Sequence, residues 1–327
     1  MKAVWYEQNG DADVLSFGDM PDPEPGQDEI RVRIISSGIN PSDWKRRQGL
    51  TAKMSYPRVV PHQDGAGVID QVGPGVPASR IGERIWLYQC QIGRAFGTAA
   101  QFTVQPAIRA IPLHANATFA QGACLGVPAM TAHRCLFADG PLTGKTVLVP
   151  GGAGAVGNYA IQLAKLDGAQ VISTISSDEK AEIAKAAGAD HVVNYRTEDV
   201  VKRVMDMTGG AGVDHIVEVD FAGNFQISQQ ILKPNSVLAV YAAGSPPQPP
   251  VPLQFNVSNV NVRMVLVYDM PESAKTTATE DINKLVEQNK LNHLLGPRFP
   301  LEAAAEAQRA VEGGAIGNVI LDVSPET

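Results

Sequence analysis

From residue 1 to about 120 the chain alternates apolar and polar residues in short runs: Ile30-Arg31-Val32-Arg33-Ile34-Ile35, Ala66-Gly67-Val68-Ile69-Asp70-Gln71-Val72, Arg84-Ile85-Trp86-Leu87-Tyr88 and Ala100-Gln101-Phe102-Thr103-Val104. A period of two sends successive side chains to opposite faces. Each run therefore predicts a half-buried strand, and the Pro and Gly between runs predict the turns of small antiparallel sheets or barrels. Lys2-Ala3-Val4-Trp5-Tyr6 reads as one more strand. Helical periodicity is scarce here, apart from a turn near Pro41–Arg47. The pattern changes near Thr118, where an Ala- and Leu-rich stretch over Thr118–Phe137 predicts a helix. Strands then alternate with helix-length amphipathic stretches: Thr146–Pro150, Gln170–Ile175, His191–Asn194, Asp214–Val219, Ser236–Tyr241 and Val262–Tyr268. Near-continuous apolar runs such as Val147-Leu148-Val149 suit a parallel sheet covered on both faces, the doubly wound α/β arrangement.

A helix over Ser273–Lys290, another over Leu301–Glu312 and a closing strand Asn318–Val323 complete the pattern. The tail is expected to rejoin the first domain, giving a β-rich domain of 1–121 with 292–327 and a nucleotide-binding domain of 122–291. Pro246-Pro247-Gln248-Pro249-Pro250 is too brief for an interdomain linker and reads as an extended loop. The 327 residues leave room for about two domains, and 31 Gly with 23 Pro agree with many turns.

The net charge is −7, and Lys45-Arg46-Arg47 is the one basic cluster, so no nucleic-acid footprint exists. No uncharged apolar run reaches the roughly 18–20 residues of a membrane span, and the N-terminus has no signal-peptide pattern. Cys90, Cys124 and Cys135 are odd in number and lack C-x-x-C spacing, which suits a reducing, cytoplasmic setting.

The strongest local motif is Val147-Leu148-Val149-Pro150-Gly151-Gly152-Ala153-Gly154-Ala155-Val156-Gly157, a G-x-G-x-x-G at Gly152, Gly154 and Gly157. It follows an apolar strand and opens a helix within a βαβ unit, the context that gives the motif meaning. Small residues let the backbone approach a pyrophosphate, and the helix N-terminus supplies free N–H groups and a positive dipole end. The competing reading is a tight strand-to-helix turn and nothing more. Dinucleotide choice is decided at the end of the second strand, where NAD binders carry an acid. Here Ser176 and Ser177 stand at the strand end and Lys180 follows on the first helical turn, placed to meet a 2′-phosphate. That favours NADPH over NADH, with Asp178 read as the N-cap of the next helix or as the ribose acid. Tyr195, after the third strand, is placed to stack on the adenine, with a plain core or surface tyrosine as the competing reading.

Taken with Ser37-Gly38-Ile39-Asn40-Pro41-Ser42-Asp43, Asp64-Gly65-Ala66-Gly67-Val68-Ile69, Gly82-Glu83-Arg84-Ile85, Met130-Thr131-Ala132-His133 and Gly188-Ala189-Asp190-His191-Val192-Val193-Asn194-Tyr195, this turn carries a family pattern. The chain resembles the zinc-free quinone oxidoreductases (the zeta-crystallin-like group) of the medium-chain dehydrogenase/reductase superfamily over nearly its whole length. The resemblance implies a GroES-like catalytic domain, a Rossmann domain and hydride transfer from NADPH to a conjugated carbonyl. Aligned by the flanking motifs, the zinc-ligand positions of the superfamily's alcohol dehydrogenases fall at Asn40, Gln63 and Val127. None of these replaces a thiolate or imidazole, so no metal is expected. His62 sits one position from a ligand place.

The resemblance puts Asn40 beside the nicotinamide ribose and substrate, Thr131 at a hydrogen bond near the nicotinamide (against a packing role inside its helix), and Ala243, Gly244 and Ser245 at a backbone contact to the nicotinamide, with Phe255 near the same pocket. Many relatives carry a cation at the position of Asn318, so a cationic phosphate contact from the tail is in doubt. Asp220-Phe221-Ala222-Gly223 also departs from the usual small-residue turn. Without zinc, the suited substrates disperse the incoming charge themselves, as quinones and α,β-unsaturated carbonyls do, and the resulting anion needs hydrogen-bond donors. Asn40 is the first candidate donor and Tyr56 another, each weighed against a plain turn or wall role. Asp43 and Asp64 read as architectural, and Trp44, Tyr88 and Phe96 as an aromatic slot or core. The competing functions are an enoyl-thioester reductase, with Lys45, Arg46 and Arg47 as its approach surface, and an NADPH-binding structural or sensor protein without turnover. A homodimer pairing Asn261–Tyr268 across a two-fold axis is also expected.

Overall fold

A computed structural model of the chain describes residues 1–326. The chain forms two compact units, Met1–Pro128 together with the segment from Thr279 onward, and Ala129–Ala278. In the first unit β1 (Lys2–Trp5) and β2 (Ser16–Asp19) pair antiparallel. The long strand β3 (Glu29–Ile39) is central because Ile30, Val32 and Ile34 are fully buried on one face. On its other face the Arg31 guanidinium forks onto the Asp70 carboxylate of the neighbouring strand. The short helix α1 (Pro41–Arg47) follows at once, with Asn40 as N-cap and Pro41 supplying a ready helical φ at the first position. β4 (Asp64–Val72), β5 (Arg84–Leu87), β6 (Phe102–Pro106), β7 (Ala110–Pro112) and α2 (Phe119–Gly122) come next.

The second unit holds α3 (Met130–Phe137), β8 (Thr146–Pro150), α4 (Ala155–Leu166), β9 (Gln170–Ile175), α5 (Asp178–Ala186), β10 (His191–Asn194), α6 (Val200–Met207), β11 (Val213–Glu218), α7 (Phe221–Ile231), β12 (Leu232–Val240), α8 (Leu253–Val257) and β13 (Asn261–Met264). Its six strands run parallel in the order β10-β9-β8-β11-β12-β13, the doubly wound order of dinucleotide-binding sheets. Leu148, Ile172, Val193, Ile216 and Leu238 fill its core. The division at Ala278 and Thr279 falls inside α9 (Glu272–Glu287). Beyond it lie β14 (Leu295–Pro300), α10 (Ala304–Glu312) and β15 (Asn318–Asp322). β15 pairs antiparallel with β3, so the tail completes a seven-stranded sheet with the first half of the chain.

The fold is thus the α/β class that the sequence indicates. The continuous helix expected over Thr118–Phe137 is instead broken between α2 and α3 by a π-helical turn, Leu125–Ala129, which contains Pro128. Proline has no N–H to continue an α-helical ladder, and Val127 spends its own N–H on the Asp64 carboxylate. The strand expected to reach Tyr268 ends at Met264, and Val267–Asp269 forms a 3₁₀ turn.

Candidate functional site

The glycine turn closes β8 in the second unit. Gly151 takes φ +71°, a left-handed conformation that glycine adopts without a Cβ clash. Gly152 has no room for a side chain, since a Cβ would lie 2.2 Å from Ser173 Oγ. Gly157 is equally tight, with a Cβ placed 2.4 Å from the Gly151 carbonyl oxygen, the close helix-to-strand packing such turns need. Gly154 differs: it is exposed, caps α4 at φ −85°, and a Cβ there meets only Gly151 O at 3.2 Å. Ala153 is buried, Ala155 and Val156 open α4, and no acidic residue stands in the first turn. These features fit a pyrophosphate laid against the helix N-terminus.

At the end of β9 the N-cap of α5 is Ser177, whose Oγ accepts the Lys180 N–H at 3.4 Å. Asp178 is therefore not the N-cap but the first helical residue, and it is exposed. Ser176 is half-buried beside Ser177, and the Lys180 ammonium makes no ion pair among the described residues. Tyr195, just past β10, is 53% exposed, an unusual exposure for a large ring. After β12, Gly244 takes φ +75° and a Cβ there would lie 1.9 Å from Asp220 Oδ1, so Ala243-Gly244-Ser245 turns tightly against the start of α7. Ala222 N–H donates to Ala243 O, which fixes that approach. Phe255 is 3% exposed and packs on Phe225 in the core of the second unit. Thr131, on α3, is buried.

In the first unit Asn40 stands between two buried carboxyl groups. Its backbone N–H donates to Asp43 Oδ2 at 2.7 Å and its side-chain Nδ2 donates to Asp64 Oδ2 at 2.8 Å. The Val127 N–H donates to the same Asp64 oxygen at 2.8 Å. Two of the three positions aligned with zinc ligands are thus joined through one carboxyl group. The third, Gln63, accepts the Gln91 N–H on its side-chain oxygen. Burial pushes Asp64 well above the ordinary carboxylate range, and the hydrogen bonds from Asn40 and Val127 oppose it. Asp43 is pushed up to about 7, again by burial first. His62 is fully buried and held at about 3 by desolvation. Its Nδ1 lies 3.0 Å from Ser37 Oγ and its Nε2 3.0 Å from Gln308 Nε2. Among the described residues no three His, Cys, Asp or Glu side chains gather into a metal-binding group.

The remaining candidates fall elsewhere. Tyr56 donates its phenol to Gly93 O at 2.5 Å. It lines a cavity of about 280 Å³ with Arg94, Phe96 and Thr103. Tyr88 is buried under Arg109, so it belongs to the core. Asn318, buried at the start of β15, donates its amide to Leu294 O and so ties strands together. Lys45, Arg46 and Arg47 do not form one basic surface: Arg47 is fully buried, its Nε on Gln308 Oε1 at 2.7 Å and its Nη1 on Gly10 O at 2.8 Å. Nothing in local sequence spacing connects Ser37, Thr98 and Gln308, which lie far apart along the chain, so the sequence alone does not mark them as site residues.

A chain that carries both a sheet domain with a buried amide and carboxyl cluster and a doubly wound domain with a phosphate-type turn has the parts of a nucleotide-dependent dehydrogenase or reductase. Residues 26–115 match the alcohol dehydrogenase GroES-like domain and residues 155–285 match the zinc-binding dehydrogenase family. The chain is 29% identical to a 2-haloacrylate reductase of Burkholderia sp, over 98% of each chain. A solved NAD-dependent alcohol dehydrogenase is 31% identical with a TM-score of 0.89, covering 99% of this chain and 100% of that one. The quinone oxidoreductase of Escherichia coli complexed with NADPH is 26% identical with a TM-score of 0.87, covering 98% and 100%. The protein belongs to the medium-chain dehydrogenase/reductase superfamily, in its quinone-oxidoreductase-like, zeta-crystallin-like group.

Proposed function

We propose that the protein is an NADPH-dependent reductase of quinones or α,β-unsaturated carbonyls that works without zinc. The observation that carries the reading is the Asn40–Asp64–Val127 cluster: a carboxyl group held by two N–H donors stands where zinc-dependent relatives would need soft ligands. NADPH supplies a hydride when bound. The chain's own residues do the rest. The glycine turn and α4 N-terminus hold the pyrophosphate, and Lys180 with Ser176 and Ser177 receives the 2′-phosphate. Asn40 keeps one amide N–H on Asp64, which fixes the plane of the amide and leaves the second N–H for the oxygen on which negative charge develops.

The enoyl-thioester alternative is weaker, since burial of Arg47 removes one of three cations from its approach surface. The test is oxidation of NADPH and NADH by the metal-chelated protein against a benzoquinone, a simple enone and a crotonyl thioester. Turnover of quinone or enone with NADPH, lost in Asn40→Ala, is expected. Tight NADPH binding without turnover of any acceptor would favour the binding-protein reading instead.

The protein also forms a homodimer on this reading. β13 is an edge strand, and Val251, Leu253, Val257, Met264 and Leu266 are large apolar residues left exposed on the same unit. Pairing of two copies of Asn261–Met264 would satisfy that edge. A 34.7 kDa species alone in sedimentation at micromolar concentration would contradict it.

A further inference from the structure

The buried polar groups of the first unit form a closed circuit around α1. Arg47, the last residue of that helix, donates from Nε to Gln308 Oε1 at 2.7 Å. Gln308 Nε2 lies 3.0 Å from His62 Nε2, His62 Nδ1 lies 3.0 Å from Ser37 Oγ, and Ser37 Oγ lies 2.7 Å from Thr98 Oγ1. Thr98 then donates to the Asp64 carbonyl oxygen at 2.6 Å, and Asp64 Oδ2 takes the Asn40 amide at the other end of α1. Ser37, Arg47, His62, Asp64, Thr98 and Gln308 are all 0% exposed.

The direction of every link follows from its two ends. A guanidinium only donates, so the Gln308 oxygen must face Arg47 and its NH₂ must face His62. That NH₂ only donates, so His62 Nε2 must carry a lone pair, and the neutral ring bears its proton on Nδ1. A backbone carbonyl only accepts, so Thr98 gives its proton to Asp64 O and must accept from Ser37, which in turn accepts from His62. Five bonds therefore point one way, from Arg47 to Asp64. A proton on His62 Nε2 would face the Gln308 N–H groups directly, and reversing the ring's tautomer would turn Ser37 round and draw Thr98 off the Asp64 carbonyl.

We infer that this one-way circuit sets the position of Asn40, with Gln308 and His62 acting as positioning residues through Asp64. The inference rests on the proposed role of Asn40 in reduction. Because the links share one polarity, cutting any of them releases the same element, so their effects should not add.

The experiment has two readouts on the full-length protein. In ¹⁵N-histidine-labelled wild type, the His62 signal, assigned by its loss in His62→Asn, should show a protonated Nδ1 and an unprotonated Nε2 between pH 5.5 and 8. An Nε2–H tautomer or a charged ring in that range would overturn the circuit, whether or not the protein turns over any substrate. In steady-state kinetics with the best acceptor of the panel, Gln308→Met and Thr98→Val should each lower kcat about tenfold while the NADPH dissociation constant stays within twofold. The double variant should be no slower than the slower single one. Additive losses, or unchanged kcat in Gln308→Met, would overturn the positioning role. If neither variant folds, the tautomer measurement on the wild type still decides the polarity of the chain.

Discussion

Gly154 and Gly157 belong to the same motif, yet the structure gives them different costs. A methyl group at Gly157 would stand 2.4 Å from the Gly151 carbonyl oxygen and 3.0 Å from its carbon, backbone atoms that cannot rotate away. Helix α4 must shift from β8 by several tenths of an ångström, an overpacking cost of about 1–3 kcal/mol. At about 2–4 °C per kcal/mol for a unit of this size, its melting midpoint drops by several degrees. A methyl at Gly154 meets one atom, at 3.2 Å, and the backbone angles there suit any L-residue. Losing a glycine N-cap costs under about 1 kcal/mol, partly offset by the stiffer unfolded chain, so the melting curve should barely move. That methyl points into open space at the helix N-terminus, where the pyrophosphate is expected to lie. NADPH affinity should then fall at least tenfold, about 1.4 kcal/mol. Fluorescence titration with NADPH and thermal melts of the apo protein separate the two effects. If Gly154→Ala binds NADPH within twofold of wild type, the turn does not carry the pyrophosphate and the reasoning fails. If Gly157→Ala melts like wild type, the packing argument fails.

Lys180→Glu should weaken NADPH binding at least tenfold while leaving NADH binding within about threefold, because only the 2′-phosphate is lost as a partner; equal losses for both would mean that Lys180 is not at the ribose. Asp43 gives a pH test. Its folded value of about 7 lies above the ordinary 3.8, so the folded protein keeps a proton that the unfolded chain releases. The stability it contributes is complete below about 3.8 and is lost as pH rises through about 7, with a slope of at most about 1.4 kcal/mol per pH unit. Denaturant unfolding at pH 5, 6 and 7 should show that decline in wild type and a flatter profile in Asp43→Asn; parallel profiles would refute the assignment.

The elements that sequence reading placed well are those whose cause is local. Thr146–Pro150, Gln170–Ile175 and His191–Asn194 are strands in the structure with those same limits, because continuous apolar runs bounded by glycine turns leave little choice. The glycine motif was legible for the same reason. What was not legible depends on distant partners. Arg47 reads as part of a charge run on a helix, yet it is buried because Gly10 and Gln308 supply acceptors from 37 and 261 residues away. Pro128 is visible in the sequence, but the π-helical turn around it also involves the Val127 N–H, which Asp64 takes from 63 residues away. Phe255 is equally plausible on a pocket wall or in the core until Phe225 is seen beside it.

The same dependence on distant partners bears on the chemistry. An anion developing beside Asn40 would be opposed by an ionised carboxylate at hydrogen-bond distance from the same amide. Burial raises both neighbouring carboxyl groups, and Asp64 Oδ2 accepts both N–H donors while Oδ1 has no hydrogen-bond partner. That arrangement suits a proton on Oδ1, which would remove the opposing charge. Gly126 closes over that oxygen so tightly that a Cβ there would stand 2.1 Å away. On the proposed reading of the site, the carboxyl group then serves as a neutral anchor for the amide, and the amide is the donor to the substrate. A carboxyl group can take that role only where water is excluded, which is why a pair of acids that reads as architectural in the sequence acquires its chemical meaning from the fold.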